Sequence, residues 1–120
     1  MRVLVVDDDP IGLNARRMVL EHVGHQVVVA STVEEAQAGI ETQPDAVLPD
    51  VVLMDLRLPK SEDGLRLLRM LHEAAPGIRI VVLSGYPSDL DGAAERTYAA
   101  EILAKPAPTE AVLKALAAEA

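Results

Sequence analysis

Short apolar runs recur along this chain, and four of the five stop on a residue able to carry chemistry. Val3-Leu4-Val5-Val6 stops at Asp7; Val51-Val52-Leu53-Met54 stops at Asp55; Ile78 to Leu83 stops at Ser84-Gly85; Ile102-Leu103-Ala104 stops at Lys105-Pro106. The other run, Gln26 to Val29, follows Gly24. Runs this short, apolar on both faces, suit parallel strands buried between two layers of helix.

Helical patterns fill the gaps. Pro10, after Asp9, suits a helix start, and Leu13, Met18, Val19 and Val23 give its expected inward stripe. Ser31 and Glu34 have the spacing of a capping box before Ala36 and Ile40. Leu65, Leu67, Leu68, Met70 and Leu71 mark a third helix, closed near Pro76-Gly77. Pro87-Ser88 opens a fourth, through about Tyr98, and Thr109 to Ala118 is the last, with Val112, Leu113 and Leu116 inward. Gln43 to Asp50, with two prolines, reads as a loop. A strand followed by a helix, five times over, predicts an open parallel sheet with helices on both faces.

Composition narrows the function. The length of 120 residues suits one domain, expected to span 1–120. Phe and Trp are absent and only two Tyr occur, so aliphatic side chains and Met must fill the core. A net charge of −8 supplies no basic patch for nucleic acid, and no direct nucleic-acid binding is expected. Without cysteine there is neither a disulfide nor a thiolate metal site. The Val3–Val6 run is too short for a signal peptide or a membrane span, so the expectation is a cytoplasmic chain without membrane contact.

Ligands of open α/β sheets bind beyond the carboxyl ends of the strands. If strands one, three, four and five are neighbours, Asp7, Asp8, Asp55, Ser84 and Lys105 share one rim. Hard oxygen donors of that kind suit magnesium, which keeps several waters and takes one or two carboxylates plus a phosphoryl oxygen. Clustered carboxylates repel unless a cation sits among them. An Asp can act as a nucleophile and form an acyl phosphate, with a metal, an ammonium and a hydroxyl stabilising the transferring group. Taken singly, each feature has a plainer meaning. Asp9 caps a helix, Ser84-Gly85 and Lys105-Pro106 are ordinary turn sequences, and Asp89, Asp91 and Glu95 form a solvated face. His22, His25 and His72 read as surface residues, and the Met residues as core filling.

At these residues the sequence resembles the CheY-like receiver domains of response regulators in two-component (phosphorelay) signal transduction. The matching segments are VLVVDDDP at Val3 to Pro10, PDVVLMDLRLP at Pro49 to Pro59, VVLSG at Val81 to Gly85 and ILAKP at Ile102 to Pro106. GHQVVVASTVEEA at Gly24 to Ala36 resembles the family's second strand and helix. The resemblance implies a flavodoxin-like, doubly wound (βα)5 three-layer sandwich with a five-stranded parallel sheet in the order 2-1-3-4-5. It implies Asp55 as phosphoacceptor, Ser84 and Lys105 as its catalytic partners, and Mg2+ held by Asp7, Asp8, Asp55 and the backbone carbonyl of Arg57. It implies a histidine kinase or phosphotransfer protein as donor and a downstream effector domain or protein as reader. Such a domain catalyses only phosphoryl transfer to its own Asp and slow hydrolysis there, and is not an enzyme on a separate substrate. A cis bond at Lys105-Pro106 is common in the family.

The chain departs from the pattern at several places. Gly64 follows Pro59 by five residues instead of four, which lengthens the loop after strand three. Ile102 stands at the switch position where relatives often carry Tyr or Phe, and Ala107 where many carry Phe. Arg57 and Tyr86 occupy positions that modulate phosphoryl lifetime in the family. A pseudo-receiver, acting as an interaction module without phosphorylation, is the alternative that Ile102 and the longer loop favour. Retention of Asp7, Asp8, Asp55, Ser84 and Lys105 weighs against it. A magnesium phosphatase of the haloacid-dehalogenase kind would want an acid where Arg57 stands, and a nucleotide binder would want a glycine-rich loop after the first strand.

Overall fold

A computed structural model of the chain describes residues 1–41 and 48–117. Five parallel strands form one sheet: β1 (Arg2–Val6), β2 (Gln26–Ala30), β3 (Val51–Asp55), β4 (Arg79–Ser84) and β5 (Glu101–Ala104), in the order β2-β1-β3-β4-β5. Four α-helices flank it: α1 (Pro10–His22), α2 (Val33–Glu41), α3 (Ser61–Ala74) and α4 (Thr109–Ala117). Most of the loop expected over Gln43 to Asp50, and Ala118 of the last helix, lie outside the described residues.

Strand side chains alternate between the two faces, as a period of two demands. Leu4, Val6, Val52, Met54, Ile80 and Val82 pack with Val33, Ala36 and Ile40 of α2 and Leu67, Leu68 and Leu71 of α3. Val3, Val5, Val51, Leu53, Val81 and Leu83 pack on the other face with Leu20 of α1 and Ala115 and Leu116 of α4. Each fully buried Leu or Val contributes about 1.5–3 kcal/mol by leaving water, so a core without Phe or Trp is well supplied. No helix among the described residues is long and apolar enough to cross a membrane.

The fourth expected helix is the main correction. Between β4 and β5 the chain makes two 3-10 turns, Pro87–Leu90 and Ala94–Tyr98, in place of an α-helix. Gly92 separates them with φ +74°, a conformation that breaks any continuous helix and that side chains rarely adopt. The segment stays anchored by Leu90, fully buried, and by Tyr98, stacked on His72 at 3.9 Å. Of the three acids expected on a solvated face, Asp91 is exposed, but Glu95 pairs with Arg69 at 3.1 Å and Asp89 with Arg57 at 2.8 Å.

Smaller corrections have local causes. The cap of α2 lies one residue later than expected. Thr32 Oγ1 accepts from Glu35 N–H at 3.0 Å, and Glu35 reaches back to the Ser31 N–H at 2.8 Å. Of the α1 stripe, Leu13 packs against the core but Met18, Val19 and Val23 are exposed. The buried residue is Leu20; Met18, two positions away, lies about 200° round the helix. β2 is an edge strand, so Val28 is 61% exposed despite its apolar run.

Candidate functional site

β1 delivers the first carboxylates. Asp7 follows the strand directly and is buried, with its N–H on the Ala30 carbonyl at 3.1 Å and its Oδ1 accepting from Asp9 N–H at 2.9 Å. The chain then turns, and Asp9 Oδ1 caps α1 by accepting from Ile11 N–H at 3.2 Å. Asp8 is left exposed beside Asp7.

β3 ends one strand over. Val6 is level with Met54 in the sheet, so Asp55 emerges beside Asp7. Asp7, Asp8 and Asp55 each offer an oxygen, and the three lie within 4.8 Å of one another. β4 and β5 complete the rim. Ser84 pairs with Ala104 in register and accepts the Lys105 N–H on its carbonyl at 2.9 Å. Lys105 Nζ reaches Asp55 Oδ2 at 2.8 Å. Ser84 is buried, and its Oγ accepts from Tyr86 N–H at 3.0 Å, which leaves the hydroxyl proton free to be donated. The Lys105–Pro106 and Leu58–Pro59 peptide bonds are both cis.

Burial pushes the Asp55 carboxyl up to about 6, and the neighbouring Asp7 acts in the same direction. Lys105 and Arg16 pull it back. Three carboxylates with hard oxygen donors on one small rim fit a divalent ion of the magnesium type, which would favour the charged form of Asp55 against its burial and its acidic neighbour.

The lengthened loop leaves the close approach of α3 intact. Lys60 N–H donates to Asp63 Oδ2 at 3.1 Å, which caps α3 after the extra residue. A Cβ on Gly64 would sit 1.8 Å from the Leu56 carbonyl oxygen, so only glycine lets α3 lie this close to the end of β3.

Arg57 and Tyr86 meet on the outer side. The guanidinium carbon lies 3.7 Å from the Tyr86 ring centroid, and Arg57 also grips Asp89 with two hydrogen bonds of 2.8 and 3.3 Å. Ile102 is partly buried against the α2–α3 core, level with Val82, and has no aromatic role to play. A cleft of about 490 Å³ opens between α1 and α4, lined by Val19, Leu53, Leu83, Ala107, Val112 and Leu113, with Arg16 and Lys105 also on its wall.

Sequence reasoning missed Arg16. Its Nη1 lies 2.5 Å from Asp7 Oδ2 and 3.3 Å from Asp55 Oδ1. The signal available was Gly12, one helical turn before it.

The family profile described as response regulator receiver domain matches residues 3–117. The chain is 34% identical over 118 residues to the photosynthetic apparatus regulatory protein RegA of Rhodobacter capsulatus, covering 98% of this chain and 61% of that protein. Among the curated relatives it matches, it spans as little as 23% of the relative's length. A response regulator receiver domain protein from Clostridium thermocellum superposes with a TM-score of 0.83 at 29% identity, over 96% of this chain and 90% of that one. A response regulator protein from Burkholderia pseudomallei, solved with a phosphorylated aspartic acid, a calcium ion and citrate, superposes with a TM-score of 0.81. It is 31% identical, over 96% of this chain and 65% of that one.

Proposed function

The chain belongs to the response regulator receiver domain family, and from that premise we propose that Asp55 accepts a phosphoryl group from a histidine kinase or phosphotransfer protein, with Mg2+ as cofactor. The observation that carries this reading is the Asp55 carboxylate itself. It is buried, with Asp7 and Asp8 within 4.8 Å on one side and Lys105 Nζ 2.8 Å away on the other.

Asp7, Asp8, Asp55 and the Arg57 backbone carbonyl are the groups that would hold the ion. When bound it neutralises charge on the phosphoryl oxygens. The protein supplies the rest. Asp55 presents a carboxylate oxygen as nucleophile; the phosphorus–oxygen bond to the donor breaks as the bond to Asp55 forms. Lys105, already on Asp55, shifts its charge to the arriving phosphoryl oxygens, and the Ser84 hydroxyl donates to another. These contacts exist only with the phosphoryl group present, so they bias the domain towards a second conformation that an effector reads. Hydrolysis returns the carboxylate. The pair Arg57 and Tyr86, stacked beside the rim, restricts the approach of water and so sets the lifetime.

The relative solved with a phosphorylated aspartic acid supports this reading over a pseudo-receiver. The test is intact mass after incubation with Mg2+ and acetyl phosphate. One added phosphoryl group is expected, lost on chelation of the metal during the reaction and absent in Asp55→Asn. An unchanged mass in the wild type contradicts the reading.

A further inference from the structure

We infer that Arg16 is a tethered counter-ion for the acidic rim, one that competes with the divalent cation for Asp7 and Asp55 and thereby sets how tightly the site holds metal. The inference deepens the phosphoacceptor reading and rests on it. Arg16 Nη1 holds Asp7 Oδ2 at 2.5 Å and approaches Asp55 Oδ1 at 3.3 Å, and both carboxylates belong to the trio able to ligate a cation. Lys105 takes the other Asp55 oxygen, Oδ2, so the two cations divide this carboxylate between them. The Asp7 and Asp55 side chains are 3% and 6% exposed. Buried carboxylates this close are costly without a positive partner, and Arg16 is that partner whenever the metal is away.

The local sequence builds the reach. Side chains on a helix lean towards its N-terminus, so Arg16 extends back over the turn that carries Gly12. A Cβ on Gly12 would stand 2.9 Å from Asp7 Oδ2, the oxygen that Arg16 grips. Glycine leaves that oxygen open. Arg17, the next residue, shows what an arginine does without such a path. It stays on the surface, with Nη1 on Glu21 at 2.7 Å and Nη2 on Asn14 at 2.5 Å.

Arg16 also has somewhere to go. Its side chain lines the cleft of about 490 Å³ between α1 and α4, which is open beside the rim. A divalent ion that takes Asp7 and Asp55 releases the guanidinium towards this space. The cost of that release is subtracted from metal affinity.

The test is Mg2+ titration by calorimetry at fixed ionic strength on wild type, Arg16→Met and Arg17→Met, with thermal unfolding of each with and without Mg2+. Arg16→Met keeps the apolar stem and removes the charge. It should bind Mg2+ roughly tenfold more tightly, melt lower than wild type without metal, and gain more from saturating Mg2+. Arg17→Met removes the same charge one residue away and should stay within about twofold of wild type. Should Arg16→Met fail to fold, Arg16→Lys replaces it. Its shorter, single-point cation should give a Mg2+ affinity measurably tighter than wild type, and an affinity equal to or weaker than wild type counts against the inference. Unchanged or weaker Mg2+ binding in the Arg16 variant overturns the inference, and leaves the phosphoacceptor reading standing if the wild type still gains a phosphoryl group. If no variant binds Mg2+ and the wild type is not phosphorylated, both readings fall.

Discussion

The two faces of the sheet are built to different tolerances. Against α2 and α3 the strands meet Leu67, Leu68, Leu71, Ala36 and Ile40, all buried, and the fit of helix on sheet is close to backbone level at Gly64, although a smaller cleft of about 270 Å³ runs between the two helices past Ile40, Leu67 and Leu71. Against α1 and α4, Val19, Ala107, Val112 and Leu113 line an open cleft. The closed face fixes where β3 ends, and so where Asp55 stands. The open face leaves space beside the rim for Arg16 and Lys105. Rigidity and room thus come from opposite sides of one five-stranded sheet.

That contrast can be broken most sharply at Gly64. Helical Gly→Ala is ordinarily stabilising, yet Gly64→Ala should cost about 3 kcal/mol or more, because the added carbon meets the Leu56 carbonyl and not a yielding side chain. Urea unfolding measures it, and a neutral outcome would show that α3 can back away freely. Next comes a matched pair of enlargements. Ala36→Leu, at a fully buried position on the closed face, should cost about 2 kcal/mol, while Ala107→Leu on the open face should change stability by less than about 1 kcal/mol. Equal costs would erase the distinction between the faces.

Asp55→Asn probes the rim between them. The folded protein holds this carboxyl up at about 6, above the usual carboxylate range, so its charged form destabilises the fold when metal is absent. The folded state therefore binds the proton more strongly than the unfolded state does. Stability from this group is full below the unfolded value and is lost as pH rises through about 6. Metal-free Asp55→Asn should accordingly be more stable than wild type by about 1–2 kcal/mol at pH 7, with the gain fading near pH 4. A gain independent of pH would mean that the buried charge is not its source. The smallest effect belongs to Tyr86→Ala. Loss of the stack on Arg57 should cost about 0.5 kcal/mol, since Arg57 keeps Asp89. Its larger consequence should be faster loss of the phosphoryl group, followed by mass spectrometry over time; an unchanged lifetime removes Tyr86 from that role.

Much of the rim is legible in the sequence alone. Asp7, Asp55, Ser84 and Lys105 each terminate an apolar run, and a parallel sheet places such ends on a common rim. What escapes is the behaviour of segments whose outcome depends on tertiary partners. Pro87 to Tyr98 carries enough helix-forming residues to suggest a helix, yet Gly92 at positive φ divides it into two turns. Asp89 and Glu95 look like solvent-facing acids until Arg57 and Arg69, far away in sequence, come alongside. Arg16 reads as one more surface cation on α1. Only the meeting of β1, β3 and α1 shows that it faces inward, although Gly12 one turn earlier is the trace left in the sequence.

The most direct measurement of the central claim is to locate the phosphoryl group chemically. After reaction with Mg2+ and acetyl phosphate, borohydride reduces an aspartyl phosphate to homoserine, and peptide mass mapping then reports which residue carried it. Conversion at Asp55 alone is the predicted result. Conversion at Asp7 or Asp8, a stable phosphate ester on Ser84, or no conversion anywhere would contradict the assignment of Asp55 as phosphoacceptor.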